Sequence, residues 1–247
     1  NILVLSGAPM SRWHLIALAN DITHGKGFMS VATFLPEKDT TQQRVDSLRQ
    51  SITDFLLKNK VDAIVEAYRS DNVLTGAKSL IRHYGVGPLV PNTVIMGEST
   101  KSENLVNYCE LLIEVVRLKR NVIIVRKTSA AKQETNDKTS GFSLLKSARG
   151  AQVIDVWWGR ERQNAGLMLV FGYLLQLSPA WHDAQLTLKT IITGYEARSH
   201  TEQYMRSFVP ESRIDAGIEV LQREESSDVF TLICEASKDA DLVFLGL

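Results

Sequence analysis

Two short turns carry the residue types that could hold a phosphate group. Ser6-Gly7-Ala8 closes the apolar run Ile2 to Leu5, and Gly97-Glu98-Ser99-Thr100 closes the run Thr93 to Met96. A helix that begins just beyond such a turn points free amide groups at an anion, and ligands of open α/β sheets collect at these strand ends. The same serines and threonines serve equally well as ordinary helix N-caps. No Gly-x-x-x-x-Gly-Lys-Ser/Thr loop is present. Gly25-x-Gly27 and Gly85-x-Gly87 follow helical segments and precede strands, the reverse of the order a dinucleotide fingerprint needs, so they read as helix-ending glycines.

For covalent chemistry the residues are poorly placed. There is no Gly-x-Ser-x-Gly elbow, no His-Glu-x-x-His and no Cys-x-x-Cys, and His14, His24, His83, His182 and His200 are scattered. Cys109 and Cys234 lie far apart without the paired spacing of a zinc site, as expected in a reducing cytosol. No catalytic residue and no metal ligand is assigned. Lysine plus arginine number 28 and aspartate plus glutamate 28, so no net field attracts nucleic acid. The most apolar run, Leu167 to Leu177, contains Gln176 and falls short of the roughly 20 residues a membrane helix requires. The chain reads as a soluble, non-catalytic domain. Because Asn1 stands inside an apolar run and Leu247 ends another, it also reads as a piece of a longer polypeptide.

The elements that position the two turns alternate. Strand-like runs at Ile2 to Leu5, Val31 to Leu35, Ala63 to Ala67, Thr93 to Met96 and Val122 to Val125 are separated by amphipathic helical segments. Thr40-x-x-Gln43 and Thr100-x-x-Glu103 are capping-box signatures, and Asp71 is the expected N-cap of the third helix. Leu105, Cys109, Leu112, Ile113 and Val116 form the expected buried stripe of the fourth, with Cys109 in the core. From Lys127 to Arg149 polar residues dominate, and a mobile linker or insertion is expected. The alternation then resumes, with strands expected at Val153 to Trp158, Thr187 to Thr193, Ile214 to Val220 and Leu242 to Leu245. The expected helices between them are Ala165 to Leu177, Thr201 to Phe208 and Asp228 to Ser237. Strands alternating with helices predict an α/β fold of two similar lobes, 1–126 and 150–247, each a mostly parallel sheet flanked by helices. Trp157 and Trp158, adjacent on a strand, must point to opposite faces and need separate cover, from a helix of this chain or from a partner subunit.

Four landmarks in order make the sequence recognisable: Ile2-Leu-Val-Leu-Ser-Gly7, Gly85-Val-Gly-Pro-Leu-Val-Pro-Asn-Thr-Val-Ile-Met-Gly97, Ile154-Asp-Val-Trp-Trp158 and Ala240-Asp-Leu-Val-Phe-Leu-Gly-Leu247. Together they span nearly the whole chain and resemble the cytosolic C-terminal domain of the cation-chloride cotransporters, within the amino acid/polyamine/organocation transporter superfamily. The resemblance implies a universal stress protein-like fold that follows membrane helices of the same polypeptide, at the cytoplasmic face of the cell membrane. It also implies homodimer formation and regulation of electroneutral symport of chloride with sodium or potassium. Some proteins of that fold bind ATP at the sheet's carboxyl edge, which makes Ser6, Gly7, Gly97 and Ser99 the candidate nucleotide-binding residues; no cofactor is otherwise required. The sequence departs from the animal members in its short stretch at Lys127 to Arg149, and in Asn164-Ala165-Gly166-Leu167, where the family usually shows an acidic residue before glycine.

Three functions compete at this level. A regulatory and dimerising module of a transporter needs no catalytic group. A free-standing nucleotide-binding stress protein needs an intact phosphate loop. A small hydrolase or transferase needs a nucleophile with a partner base.

Overall fold

A computed structural model describes residues 1–38, 40–99, 102–127, 151–159, 164–193, 196–224 and 227–246. The chain divides into two units, Asn1–Leu144 and Leu145–Leu247. The expected linker at Lys127 to Arg149 lies, beyond Lys127 itself, outside the described residues.

The first unit runs β1 (Ile2–Leu5), α1 (Trp13–Thr23), β2 (Met29–Leu35), α2 (Gln42–Lys58), β3 (Ile64–Arg69), α3 (Val73–His83), β4 (Thr93–Gly97), α4 (Leu105–Arg117) and β5 (Asn121–Val125). Its five strands lie in the order β3-β2-β1-β4-β5, all paired in parallel. Ile2 sits between Met29 and Thr93, so β1 is hydrogen-bonded on both edges. Leu3 and Val4 are fully buried, as a strand covered on both faces requires. On one face Leu3, Ala32, Val94 and Met96 pack with Ala77 and Ile81 of α3 and Leu111 and Val115 of α4.

Helix ends differ from expectation by a residue. Thr41 rather than Thr40 caps α2, its hydroxyl accepting from the Arg44 amide at 3.3 Å. Asn72 rather than Asp71 caps α3, accepting from the Leu74 amide at 2.8 Å. In each case the neighbouring residue could also cap, and the chain's approach decides between them. Thr100 lies outside the described residues, and a 3-10 turn over Ser102–Asn104 leads into α4 with no side-chain cap.

Of the expected face of α4 only Leu112 packs on the core. Leu111 and Val115 are the buried residues, whereas Leu105 is 52%, Ile113 50% and Val116 63% exposed, and Cys109 is exposed rather than in the core. The helix carries two adjacent apolar stripes, and periodicity alone cannot choose between them. Leu111 and Val115 join the core beneath the helix, and ion pairs to α3 accompany that rotation. Lys78 bonds Glu110, and Arg82 Nε lies 2.7 Å from Glu114 Oε1, with positions 111 and 115 beneath the helix and 109, 113 and 116 outward.

The second unit runs β6 (Val153–Trp157), α5 (Ala165–Gln176), β7 (Gln185–Thr193), α6 (Glu196–Ser212), β8 (Gly217–Arg223), α7 (Val229–Ala236) and β9 (Leu242–Leu245). Its order β8-β7-β6-β9, again all parallel, repeats β3-β2-β1-β4 of the first unit. β8 starts three residues later than the expected Ile214, because its ladder with β7 begins at Thr187 opposite Gly217. Each tryptophan is covered within this unit. Trp157 donates its indole N–H to Ser237 Oγ at 2.9 Å, at the end of α7. Trp158 packs on Phe208 and Tyr204 of α6, with ring centroids 4.8 and 5.5 Å apart.

One buried polar network explains the aspartate of the Ile154-Asp-Val-Trp-Trp segment. Asp155 is 1% exposed; its Oδ2 accepts from Ser237 Oγ at 2.6 Å and lies 3.0 Å from Lys189 Nζ on β7. Lys189 also pairs with Glu219 of β8 at 3.1 Å and donates to the Ala236 carbonyl at 2.7 Å. Burial opposes the lysine's charge, but the hydrogen bonds to Asp155 and Glu219 outweigh it and hold its pKa above the ordinary lysine value. Three strands are thereby tied to the end of one helix. Removing one member of a buried pair strands the other charge, at a cost of about 3–5 kcal/mol. Asp155→Ala is expected to destabilise the chain by about that amount, and Glu219→Gln, at the exposed end, by about 1 kcal/mol or less. Urea unfolding followed by tryptophan fluorescence measures both, and equal losses from the two variants would contradict the assignment.

Candidate functional site

In an open parallel sheet the crevice opens where successive strands leave a central strand in opposite directions. In the first unit that point lies between β1 and β4, where Leu5 is level with Met96. The turns after these strands bring Ser6, Gly7 and Gly97 to one edge, with Ser99 two residues further along. Ser6 is buried and donates its hydroxyl to the Ala32 carbonyl at 3.5 Å, so its polar group is committed to β2. Gly7 has φ +64°, the left-handed region that favours glycine, and its carbonyl accepts from Thr33 Oγ1. The Gly97 carbonyl accepts from the Tyr108 hydroxyl at 3.0 Å. Ser99 is partly buried.

Arg12 joins the two glycines. A Cβ placed on Gly97 would stand 3.3 Å from Arg12 Nη1, and one on Gly7 would stand 3.9 Å from the same atom. The guanidinium therefore lies over both strand ends, where backbone approach is closest. Sequence reading passed over this residue, although a signal existed: Arg12 occupies the N-cap position of α1, and a cation there opposes the helix dipole. A residue that breaks a local rule marks a place worth examining for function.

The surroundings are basic. His14, in the first turn of α1, has its pKa lowered to about 4, first by burial and then by the charges of Lys127 and Arg12. Tyr108 is raised to about 12, chiefly by burial, with Glu98 adding to the rise and Arg12 opposing it. Arg126 pairs with Glu98 at 3.3 Å, and the Glu98 amide donates to the Val125 carbonyl. Two glycine backbones under a guanidinium, with Lys127 acting on the same ground, suit an anion such as a phosphate.

Chemistry beyond binding finds little support in these groups. Ser237 and Asp155 place a hydroxyl beside a carboxylate, yet both are buried and Ser237 Oγ is also held by the Trp157 indole, so the pair is structural. Among the described residues no three histidine, cysteine, aspartate or glutamate side chains gather around a point that could hold a metal ion. Cys109 and Cys234 are exposed and unbonded to each other.

Comparison with known proteins adds a separate line of information. Residues 12–141 match the family model described as Solute carrier family 12. The human protein named Solute carrier family 12 member 9 is 22% identical over 271 aligned residues, which cover 88% of this chain and 29% of that protein. From Manduca sexta, the bumetanide-sensitive sodium-(potassium)-chloride cotransporter is 31% identical over 130 residues, 51% of this chain and 12% of that protein. The chain thus spans less than a third of the length of these curated relatives. The crystal structure of the cytoplasmic domain of a prokaryotic cation chloride cotransporter superposes with a TM-score of 0.63 at 16% identity, covering 97% of this chain and 92% of that one. At that identity the likeness is one of fold.

The depressed pKa of His14 gives the site a pH signature. The unfolded chain takes up the proton near 6.5 and the folded one only near 4, so the stability that goes with neutral His14 is present above pH 6.5 and is lost as pH falls toward 4. The thermal unfolding midpoint is expected to drop across that window, and His14→Gln is expected to flatten the drop. Superimposable pH profiles for the two proteins would show that His14 does not titrate as described.

Proposed function

The chain belongs to solute carrier family 12, and from that premise we propose that it is the cytosolic regulatory and dimerisation domain of an electroneutral cation-chloride cotransporter. The observation that carries this reading is the fold likeness, over 97% of the chain, to a protein described as the cytoplasmic domain of a prokaryotic cation chloride cotransporter. The domain itself neither catalyses a reaction nor conducts ions. None of the described helices is long and apolar enough to cross a membrane. In this reading the ion path belongs to a transmembrane domain of the same polypeptide, and the present chain lies at the cytoplasmic face. Its lobes, 1–126 and 150–247, are joined through 127–149.

Two features support a regulatory role. The first is the outward face of α4, where Val106 (69% exposed), Ile113 and Val116 form an apolar stripe. A second copy of the chain, meeting it across a two-fold axis, is the partner this reading assigns to that face. The second is the edge built from Ser6, Gly7, Gly97 and Ser99 beneath Arg12, which this reading assigns to ATP. A nucleotide held there would couple the domain to the energy state of the cell.

Sedimentation equilibrium tests the first feature. The 247-residue chain is expected to populate a dimer at high concentration, and Ile113→Lys, at a half-exposed position, to shift it to monomer without lowering its unfolding midpoint. A wild-type chain that stays monomeric throughout would remove dimerisation from the reading. Titration calorimetry tests the second: ATP is expected to bind, with Arg12→Gln weakening it by about tenfold or more, as loss of a charge-assisted hydrogen bond implies. No heat beyond dilution at millimolar ATP would remove the nucleotide.

A further inference from the structure

The second unit has a cleft of its own. It is about 680 Å³ in volume and opens at the carboxyl edge of the sheet, beside the ends of β6 and β9. That is the switch point of this sheet, as the β1/β4 edge is of the first, and the volume falls in the range of small-molecule sites, roughly 300–1,000 Å³. Its chemistry is different. Tyr204 of α6, Phe230 and Ile233 of α7 and Leu245 of β9 supply much of the wall. Phe230 is 70% and Leu245 47% exposed, so apolar surface is presented toward the opening rather than used in the core.

Among the described residues the lining contains one of fixed charge. Arg223, at the end of β8, donates through Nη1 to the Ser227 carbonyl at 3.2 Å. That bond holds the guanidinium at the rim and leaves further donors of its five for a ligand. Asp228 feels the charge of Arg223, but its carboxylate is committed to α7, accepting from the Thr231 amide at 2.7 Å and the Thr231 hydroxyl at 2.9 Å. No aspartate or glutamate lines the cleft among the described residues. The same cap argues against a polyphosphate: the start of α7, where phosphate oxygens would seek free amides, already holds a carboxylate.

We infer that this cleft binds a small planar organic monoanion, such as an aromatic carboxylate, with its ring against the aromatic wall and its charge on Arg223. The Arg223 guanidinium fixes orientation in a fork that matches a carboxylate, and the apolar wall supplies the contact area. The site is independent of the β1/β4 edge and of the transporter reading.

The test uses 2-naphthoate and its uncharged counterpart 2-naphthamide, titrated into the 247-residue chain by calorimetry, with ATP present or absent. The expected result is saturable binding of 2-naphthoate, about tenfold or more tighter than 2-naphthamide, as a charge-assisted bond to arginine implies. Arg223→Gln is expected to abolish that preference while leaving 2-naphthamide binding in place, and Phe230→Ala to weaken both probes severalfold. Both substituted side chains lie at the rim, and an unchanged unfolding midpoint confirms that each variant is folded. ATP is expected not to compete. Equal binding of the two probes to the wild type, or binding unaffected by both substitutions, would overturn the inference. So would an absence of saturable binding, as would occur if the apolar wall received a protein segment instead.

Discussion

A strand paired in parallel on both edges, as β1 is with β2 and β4, can be reached each time only by a crossover, and its two faces must both be apolar. From that constraint follow the helices packed over the sheet and the full burial of Leu3 and Val4. It also fixes where the chain's turns collect, because every crossover leaves from the carboxyl end of a strand. The second unit obeys the same rule with β6 at its centre, and there the cost of a polar group in the middle of the sheet is met by a set of partners. Asp155 is held on β6 through its Oδ2, which Ser237 and Lys189 both engage, and Lys189 is in turn shared with Glu219, while the buried Oδ1 has no hydrogen-bond partner among the described residues.

Two sheets that share a four-strand order thus expose two carboxyl edges of unlike character. The first is small and basic: glycine backbones under Arg12, with Lys127 contributing to the depression of His14. The second is apolar and aromatic, with Arg223 at its rim. The shared strand order shows how one arrangement can be used twice with different side chains, since residues at strand ends are free of the packing demands that govern the middle of the sheet.

Much of this was legible in the sequence because it rests on periodicity. The strands of both units stand close to where apolar runs place them, and the turns holding Gly7 and Gly97 announce themselves as small residues at strand ends. What periodicity could not supply was rotation and reach. The burial of Leu111 and Val115 in place of Leu105 and Ile113 depends on how α4 packs against α3 and the sheet, on residues distant in sequence. Arg12 escaped notice because the placement of a long flexible side chain depends on β4, far along the chain. Trp157 and Trp158 were rightly expected to need separate cover, and α7 and α6 provide it. The cleft beside them could not be anticipated, since its wall is assembled from six separate elements.

The proposed place of this chain, as the cytosolic part of a membrane cotransporter, can be tested directly. The most direct measurement is to raise an antibody to the folded 247-residue chain, separate membrane and soluble fractions of the source cells, and determine the size and location of the native polypeptide. A band in the membrane fraction far larger than a 247-residue chain is expected. A soluble band of the size of the chain itself would contradict it and would favour a free-standing nucleotide-binding protein built on the same fold.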